Sequence, residues 1–88
     1  MAKYEVRFSR AAIKEAEKLP GNVAERVGLA IDALGGSPRP VGCQKLQGEE
    51  DLWRIRVGDY RIIYQVDAGA QILYIRRVRH RRDAYRRI

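Results

Sequence analysis

Two runs of alternating apolar and polar residues, 51–57 and 60–66, are separated by only Gly58 and Asp59. Alternation of this kind is typical of strands that bury one face, and a two-residue connection containing Gly suits a tight hairpin turn. Such a turn fixes the strand register, because it places Val57 opposite Tyr60 and Arg56 opposite Arg61. The sequence therefore predicts an antiparallel hairpin, with these cross-strand pairs if Gly58-Asp59 is the whole connection.

The two faces of this hairpin differ in chemistry. One face receives the apolar and aromatic side chains, namely Trp53, Ile55, Val57, Tyr60, Ile62 and Tyr64, and the other receives Arg54, Arg56 and Arg61. Because like charges opposite each other destabilise a strand pair, the clustered guanidiniums indicate a face that binds a polyanion. Two alternatives stay open: a longer turn would stagger the pair, or the arginine stems would cover apolar neighbours with their heads in water.

The remaining segments predict a single α+β domain over residues 1–88, in the order β-α-α-β-β-β-α. A strand over 3–8 leads through the N-cap Ser9 into a helix that Pro20-Gly21 ends, and a second helix runs from the N-cap Asn22 to Gly35-Gly36. A loop over 37–42, the hairpin, a strand over 71–78 and a short helix over 81–88 follow. Helices and strands that segregate in this way predict a helical hairpin on one face of a small, mainly antiparallel sheet.

The net positive charge of the chain lies entirely in its second part. The net charge is +7, and residues 1–51 are balanced, with eight basic and eight acidic side chains. Residues 52–88 hold ten arginines, three aspartates and no lysine. Because arginine offers a planar fork for phosphate and a face that stacks on bases, this bias indicates a nucleic-acid partner. The alternative is a coding bias combined with a solvated terminal helix.

Several classes of protein are excluded by composition. Cys43 is the only cysteine and His80 the only histidine, so an intrachain disulfide and a Cys/His zinc site cannot form. No uncharged stretch exceeds eight residues, whereas a bilayer span needs about 20. The charged N-terminus does not resemble a signal peptide, so the expected location is the cytoplasm. No metal or cofactor motif is present, and we expect none to be required.

Cleavage of RNA is a reaction that an arginine-lined face can support. The adjacent 2′-hydroxyl of the RNA serves as nucleophile, so the protein need only position it, stabilise charge on the phosphorane and move protons. Arginine keeps its proton at physiological pH and acts electrostatically. Beside this face the chain offers His80 and Tyr85 near its C-terminus, although Tyr85 could instead pack the terminal helix and His80 could simply begin it.

Three segments carry a family resemblance: KLQG at 45–48, LWRIRVGDYRIIY at 52–64 and VRHRRDAY at 78–85. Together they resemble the RelE branch of the RelE/ParE toxin superfamily, over essentially the whole chain. The resemblance implies a small basic toxin of a type II toxin–antitoxin system that cleaves mRNA in the A site of the 70S ribosome without metal. It also implies an acidic cognate antitoxin as partner.

The resemblance also assigns roles to single residues. Arg61 and Arg79 match arginines that stabilise the phosphate and transition state, Arg54 and Arg56 match basic strand residues at the scissile region, and Tyr85 and His80 match proton-transfer positions. Further RNA contacts are expected from Lys45, Arg76, Arg77, Arg81 and Arg82. Family branches with a glutamate base carry it near the position of Gln44, so that variant does not apply here.

Two other functions share this fold. A ParE-like toxin poisons DNA gyrase by binding protein and does not cut RNA, and a non-catalytic RNA-binding subunit would act only with its partner. The arginines at 54, 56, 61 and 79 together with Tyr85 favour the nuclease, because the fold alone does not decide the activity.

Overall fold

The strands form one sheet that is antiparallel except at one edge. A computed structural model describes residues 3–47 and 51–84. Its elements are β1 (Glu5–Phe8), α1 (Arg10–Glu17), α2 (Gly21–Gly36), β2 (Gln44–Lys45), β3 (Leu52–Val57), β4 (Tyr60–Asp67) and β5 (Ile72–His80). The strand order is β1-β5-β4-β3-β2, with β1 parallel to β5 and the other pairs antiparallel. The predicted α+β class and mainly antiparallel sheet are therefore confirmed.

The hairpin between β3 and β4 has the predicted register. Val57 pairs with Tyr60 and Arg56 pairs with Arg61 across the two-residue turn. Gly58 adopts a φ of +59°, a conformation that glycine reaches without steric cost. The guanidinium of Arg26 lies against Gly58, so a Cβ there would meet Arg26 Nη1 at 3.2 Å. Helix α2 thus packs over the tip of the hairpin.

The principal core lies between the helices and one face of the sheet. Helix α2 contributes Val27, Ile31 and Leu34, which recur at helical spacing and are buried. They pack with the predicted apolar face of the hairpin and with β5, through Ile55, Ile62, Tyr64, Val66, Leu73, Ile75 and Val78. Cys43 is a free thiol that packs, partly buried, against this core.

The ends of the helices follow their sequence signals with one difference. Ser9 caps α1 as predicted, since its hydroxyl accepts a hydrogen bond from the N–H of Ala12 at 3.0 Å. The predicted N-cap Asn22 is wrong, because α2 begins at Gly21 and Pro20 occupies the capping position. Proline has the extended ψ of a cap residue here but supplies no capping side chain.

Two strand boundaries and the C-terminus also differ from the sequence prediction. Strand β2 was not predicted, because two residues are too few to show alternation. Strand β5 continues to His80 because Tyr60 and Arg61 of β4 extend their pairing to His80 and Arg79. Residues 81–84 form a turn, and residues 85–88 of the predicted terminal helix lie outside the described residues.

A bulge in the pairing of β4 with β5 decides which β5 side chains face the core. Ile63 pairs with Arg77 and Tyr64 pairs with Ile75, so Arg76 has no opposite residue. The extra residue changes the phase of the alternation. Leu73 and Ile75 face the core before the bulge, and Val78 faces it afterwards. Arg77 and Arg79 are consequently placed on the opposite face.

Tyr64 anchors the 37–42 loop to the core. Its side chain is fully buried, and its hydroxyl donates to the carbonyl oxygen of Pro38 at 2.6 Å. Burial, followed by the neighbouring Cys43 thiol, raises the pKa of Tyr64 well above its ordinary value. The neutral phenol is therefore the form that the fold stabilises.

Tyr64→Phe is expected to lower the free energy of unfolding by about 1–2 kcal/mol, because Pro38 loses its buried hydrogen-bond donor. The pH dependence also changes. Since the folded pKa lies above the unfolded value of about 10, parent stability is complete below that pH and falls as pH rises through the alkaline range. Urea unfolding across neutral and alkaline pH should show a shallower alkaline fall in the variant. Tyr4→Phe is the matched control, and equal stability of the parent and Tyr64→Phe at neutral pH would contradict the anchor.

Candidate nucleic-acid interface

Three arginines stand side by side on adjacent strands. Arg61 of β4 pairs with Arg56 of β3 on one side and with Arg79 of β5 on the other. Directly paired residues in a sheet have Cβ atoms about 5 Å apart, so the three side chains leave the same face as close neighbours. We call Arg56, Arg61 and Arg79 the arginine row. Its mutual repulsion is relieved when an anion binds among the three charges.

The members of the arginine row differ in how they are held. Arg56 is exposed. Arg61 turns toward the hairpin tip, where its Nη1 donates to Gly58 O at 3.0 Å and to Tyr60 O at 2.9 Å. The guanidinium of Arg79 reaches the outer edge of β5, toward α1. This divergence lowers the repulsion in the absence of a ligand.

Arg54 departs from the expectation of an open face. It is only 5% exposed, and Leu52 and Ile63 on the same side of the sheet are buried as well. Its Nη2 donates to the amide oxygen of Gln44 on β2, and its buried Nε has no hydrogen-bond partner. The predicted exposed position is therefore wrong. Part of this face is covered, and Arg54 lies at the wall of a cavity of about 400 Å³ that Arg56 also lines.

The guanidinium of Arg54 is a desolvated cation next to a neutral partner. Transfer of a charge from water into a protein is costly unless an opposite charge compensates it. No ion pair to Arg54 is present among residues 3–47 and 51–84. Arg54 and the exposed Arg56 line the same cavity, which therefore carries positive charge from both side chains.

A carboxylate holds two of the candidate residues at the outer edge of β5. Glu15 Oε2 of α1 accepts from Arg77 Nη2 at 2.9 Å and from Arg79 Nε at 3.2 Å. Its other oxygen accepts from the backbone N–H of Val78 at 2.9 Å. We call Glu15, Arg77 and Arg79 the edge cluster. It lines a cavity of about 690 Å³ between α1 and the end of the sheet.

His80 lies on the opposite face of β5 from the arginine row. Its ring meets the ring of Tyr60 edge-on, with centroids 5.4 Å apart. Its Nδ1 accepts from the backbone N–H of Arg82 at 3.3 Å, which leaves the proton of the neutral ring on Nε2. His80 nevertheless lines the same cavity as Arg79, because the arginine side chain extends around the strand edge. The side chains of Arg79 and His80 therefore both line this cavity.

Comparison with known proteins decides the family. The family model described as the ParE toxin of type II toxin–antitoxin systems matches residues 6–85. The chain belongs to the RelE/ParE toxin superfamily. The toxin is 35% identical to the toxin RelG of Mycobacterium tuberculosis, over 96% of this chain and 98% of the relative. It is 33% identical to the toxin RelE3 of Methanocaldococcus jannaschii, over 91% of this chain and 93% of the relative.

Solved structures agree with this assignment. The toxin superimposes on a chain of the archaeal RelE–RelB complex from Pyrococcus horikoshii with a TM-score of 0.79 and 31% identity. The match covers 92% of this chain and 97% of that chain. The fold and the family expected from the three sequence segments are both confirmed, and the chain is a type II toxin of the RelE kind.

The other predicted RNA contacts of the toxin are distributed around this site. Lys45 is exposed on β2, and Arg76 at the bulge is exposed and donates to Gln65 Oε1 at 3.1 Å. Arg81 and Arg82 are exposed in the turn after β5, where Arg81 Nε lies 4.0 Å from Asp59 Oδ1. Tyr85 lies outside the described residues. The basic residues surround the arginine row on two sides.

Two residues of the toxin that sequence reasoning did not assign to the site are Glu15 and Gln44. Glu15 lies in the charged stretch KEAEK, which is typical of a solvated helix face. Gln44 belongs to the strand β2 that was not predicted. A signal existed only for Gln44, because the family resemblance implies a glutamate near this position in some branches.

The described part of the toxin contains neither a cluster of candidate metal ligands nor a helix that could span a membrane. Among residues 3–47 and 51–84, no three His, Cys, Asp or Glu side chains cluster in a way that could hold a metal ion. No helix in these ranges has the length and apolar character needed to cross a bilayer.

Gln44→Glu is expected to stabilise the toxin and to weaken its binding of phosphate. A carboxylate facing Arg54 replaces a neutral hydrogen bond by a charge-assisted one, a gain of about 1 kcal/mol in unfolding free energy. The same carboxylate neutralises the site that phosphate would occupy. Urea unfolding with and without inorganic phosphate measures both effects. Gln47→Glu makes the same charge change at an exposed neighbouring position, and identical behaviour of the two variants would contradict the role of Arg54.

Proposed function

We propose that the toxin is a ribosome-dependent endoribonuclease that cleaves mRNA in the A site of the 70S ribosome, in the cytoplasm. The arginine row is the observation that carries this proposal. Three arginines at directly paired positions of one sheet face can supply several positive charges to a phosphodiester, whose own charge increases in the transition state. The RelE names of its relatives support the same assignment.

The proposed reaction is attack of the RNA 2′-hydroxyl on the adjacent phosphorus. The new bond joins the 2′-oxygen to phosphorus, and the bond from phosphorus to the 5′-oxygen of the next nucleotide breaks. The products are a 2′,3′-cyclic phosphate and a free 5′-hydroxyl. Arg61 and Arg79 stabilise the phosphorane, while Arg54 and Arg56 hold the neighbouring phosphate oxygens. This chemistry draws only on groups of the protein and the RNA, so we expect it to proceed without metal or cofactor.

Two protons must move in this reaction. One leaves the 2′-hydroxyl, and one joins the 5′-oxygen of the leaving nucleotide. His80 and Tyr85 are the candidates for these transfers. The arginines retain their protons and act by charge alone. His80 shares its cavity with Arg79, which supports a place for it near the reacting phosphate.

The remaining basic residues are proposed to bind the ribosome and the mRNA backbone. Lys45, Arg76, Arg81 and Arg82 are exposed around the arginine row. Their contacts with phosphate are electrostatic and weaken as the salt concentration rises. Arg77 is held in the edge cluster and contributes to RNA binding from there.

The second proposed partner is an acidic antitoxin. The solved relative from Pyrococcus horikoshii is a RelE–RelB complex. Here the charge of +7 confined to residues 52–88 favours an acidic partner that covers the arginine face. Such an association is fast and sensitive to salt. Covering the arginine row would also explain how the partner blocks the nuclease.

The proposal is tested by mapping RNA ends at codon resolution after induction of the toxin in cells. We expect new 5′ ends inside translated codons, at the position that occupies the ribosomal A site. A ParE-like toxin would instead produce DNA damage through gyrase without RNA cuts. DNA damage in the absence of new RNA ends would therefore overturn the proposed function.

A further inference from the structure

The outer edge of β5 changes its partner part-way along the strand. β1 pairs with it only over residues 72–75, and α1 lies beside the residues that follow. Ser9 makes the transition, because its N–H donates to Ile75 O at 2.9 Å and its hydroxyl to Arg76 O at 2.7 Å. Further along α1, Glu15 accepts from the N–H of Val78. The Val78 N–H thus bonds to a side chain of helix α1, where a longer β1 would have supplied a backbone carbonyl.

The same carboxylate fixes two guanidiniums. Arg77 donates to Glu15 Oε2 through Nη2 at 2.9 Å and through Nε at 3.2 Å, and Arg79 donates through Nε at 3.2 Å. The Arg79 side chain is only 12% exposed. Its Nη1 also donates to the backbone oxygen of Asp83 at 3.0 Å. The guanidinium of Arg79 is therefore held from two sides before any RNA binds.

The contact with Glu15 favours catalysis by Arg79 in two ways, by ordering its guanidinium and by reducing its repulsion with Arg77. A free arginine loses rotamer freedom when it binds phosphate, and the two neighbouring positive charges of Arg77 and Arg79 repel each other. Glu15 orders the guanidiniums and screens their repulsion, while the edge cluster keeps one net positive charge. The hydrogen bond from the Val78 N–H holds the Glu15 carboxylate against β5, the strand that carries both arginines.

We propose that Glu15 is a positioning residue of the RNA-cleaving site, which acts through Arg79 and does not itself contact RNA. The inference rests on the proposed endoribonuclease. Preorganised charges lower the barrier because they need not rearrange during the reaction. Loss of the Glu15 carboxylate should therefore slow the cleavage step and leave ribosome binding unchanged.

Glu15→Gln is the variant that separates this role from a structural one. The glutamine carbonyl can still accept from the Val78 N–H, but its amide group faces the guanidiniums as a donor. We expect the single-turnover cleavage rate on saturating ribosomes to fall roughly 10- to 100-fold, as for a misplaced catalytic group. The ribosome concentration that gives half the maximal rate should not change. Glu17→Gln, at an exposed position of the same helix, is the matched control and should cleave like the parent.

Two further measurements show whether Glu15 acts through Arg79. In an Arg79→Lys background, Glu15→Gln should cause no additional loss of rate. In the free toxin, the Nε–H resonance of Arg79 should exchange faster with water in Glu15→Gln than in the parent or in Glu17→Gln. An equal loss of rate in both backgrounds, or a fully active Glu15→Gln, would overturn the inference while leaving the nuclease intact. A parent toxin that does not cut ribosome-bound mRNA would overturn the proposed function itself.

Discussion

Arg61→Ala is expected to lower the single-turnover rate of mRNA cleavage on the ribosome by about 10²–10³, the usual cost of losing one preorganised transition-state contact. Arg61 is the central member of the arginine row, with Arg56 and Arg79 as its direct neighbours. Its removal takes the middle charge away from the proposed phosphate site. The measurement is cleavage of labelled mRNA on purified ribosomes with toxin in excess.

Stability separates this effect from unfolding. Arg61 donates to the Gly58 and Tyr60 carbonyls near the surface of the hairpin, and its loss also relieves repulsion with Arg56. We therefore expect little net change in thermal stability. Arg10→Ala is the matched control, because Arg10 is an exposed arginine of α1 to which no role in RNA binding is assigned. A folded Arg61→Ala toxin that cleaves at the parent rate would contradict the assignment of the arginine row.

Tyr85→Phe is expected to have the largest effect, a fall in cleavage rate of roughly 10²–10⁴, if its hydroxyl transfers a proton. The substitution keeps the aromatic ring, so stacking and packing are preserved and thermal stability should hardly change. Single-turnover rates of Tyr85→Phe and Tyr85→Ala separate the hydroxyl from the ring. A nearly silent Tyr85→Phe with a severe Tyr85→Ala would show that only the ring matters.

His80→Gln is measured beside these variants because His80 is the rival proton donor. It lies in the cavity that Arg79 lines, and its Nδ1 is engaged by the Arg82 amide. A large loss in His80→Gln with an active Tyr85→Phe would assign proton transfer to the histidine. Full activity of both variants would leave charge stabilisation by the arginines as the whole of the catalytic contribution.

The hairpin shows how much of the site could be predicted from local sequence. A two-residue connection fixes the pairing of both strands, so the position of Arg56 opposite Arg61 followed from Gly58-Asp59 alone. The apolar face followed from the same alternation. The helices were equally predictable, because Ser9, Pro20 and Gly36 lie near their ends and the stripe from Val27 to Leu34 has helical spacing.

The third member of the arginine row could not be predicted in this way. Arg79 faces the same side as Arg61 only because the bulge at Arg76 shifts the alternation of β5. A bulge is set by how two strands fit together, and neither strand contains a local signal for it. The family resemblance supplied Arg79 as a candidate, whereas the structure shows how it reaches the row.

Long-range contacts explain the other differences. Arg54 was expected to be exposed because alternation reports the face of a strand but not what covers that face. Its burial and its contact with Gln44 depend on β2, which pairs with β3 across the loop between them. Glu15 is separated by more than sixty residues from the arginines it holds. No periodicity within α1 could indicate that partner.

The most direct test of the account is a reconstituted cleavage reaction. Purified toxin is added to 70S ribosomes that hold a 5′-labelled mRNA with a defined codon in the A site, and to the same mRNA without ribosomes. We predict a cut within the A-site codon only on the ribosome, with a 2′,3′-cyclic phosphate on one fragment and a 5′-hydroxyl on the other. Intact mRNA on ribosomes saturated with folded toxin, together with trapped gyrase–DNA cleavage complexes in a parallel reaction, would contradict it.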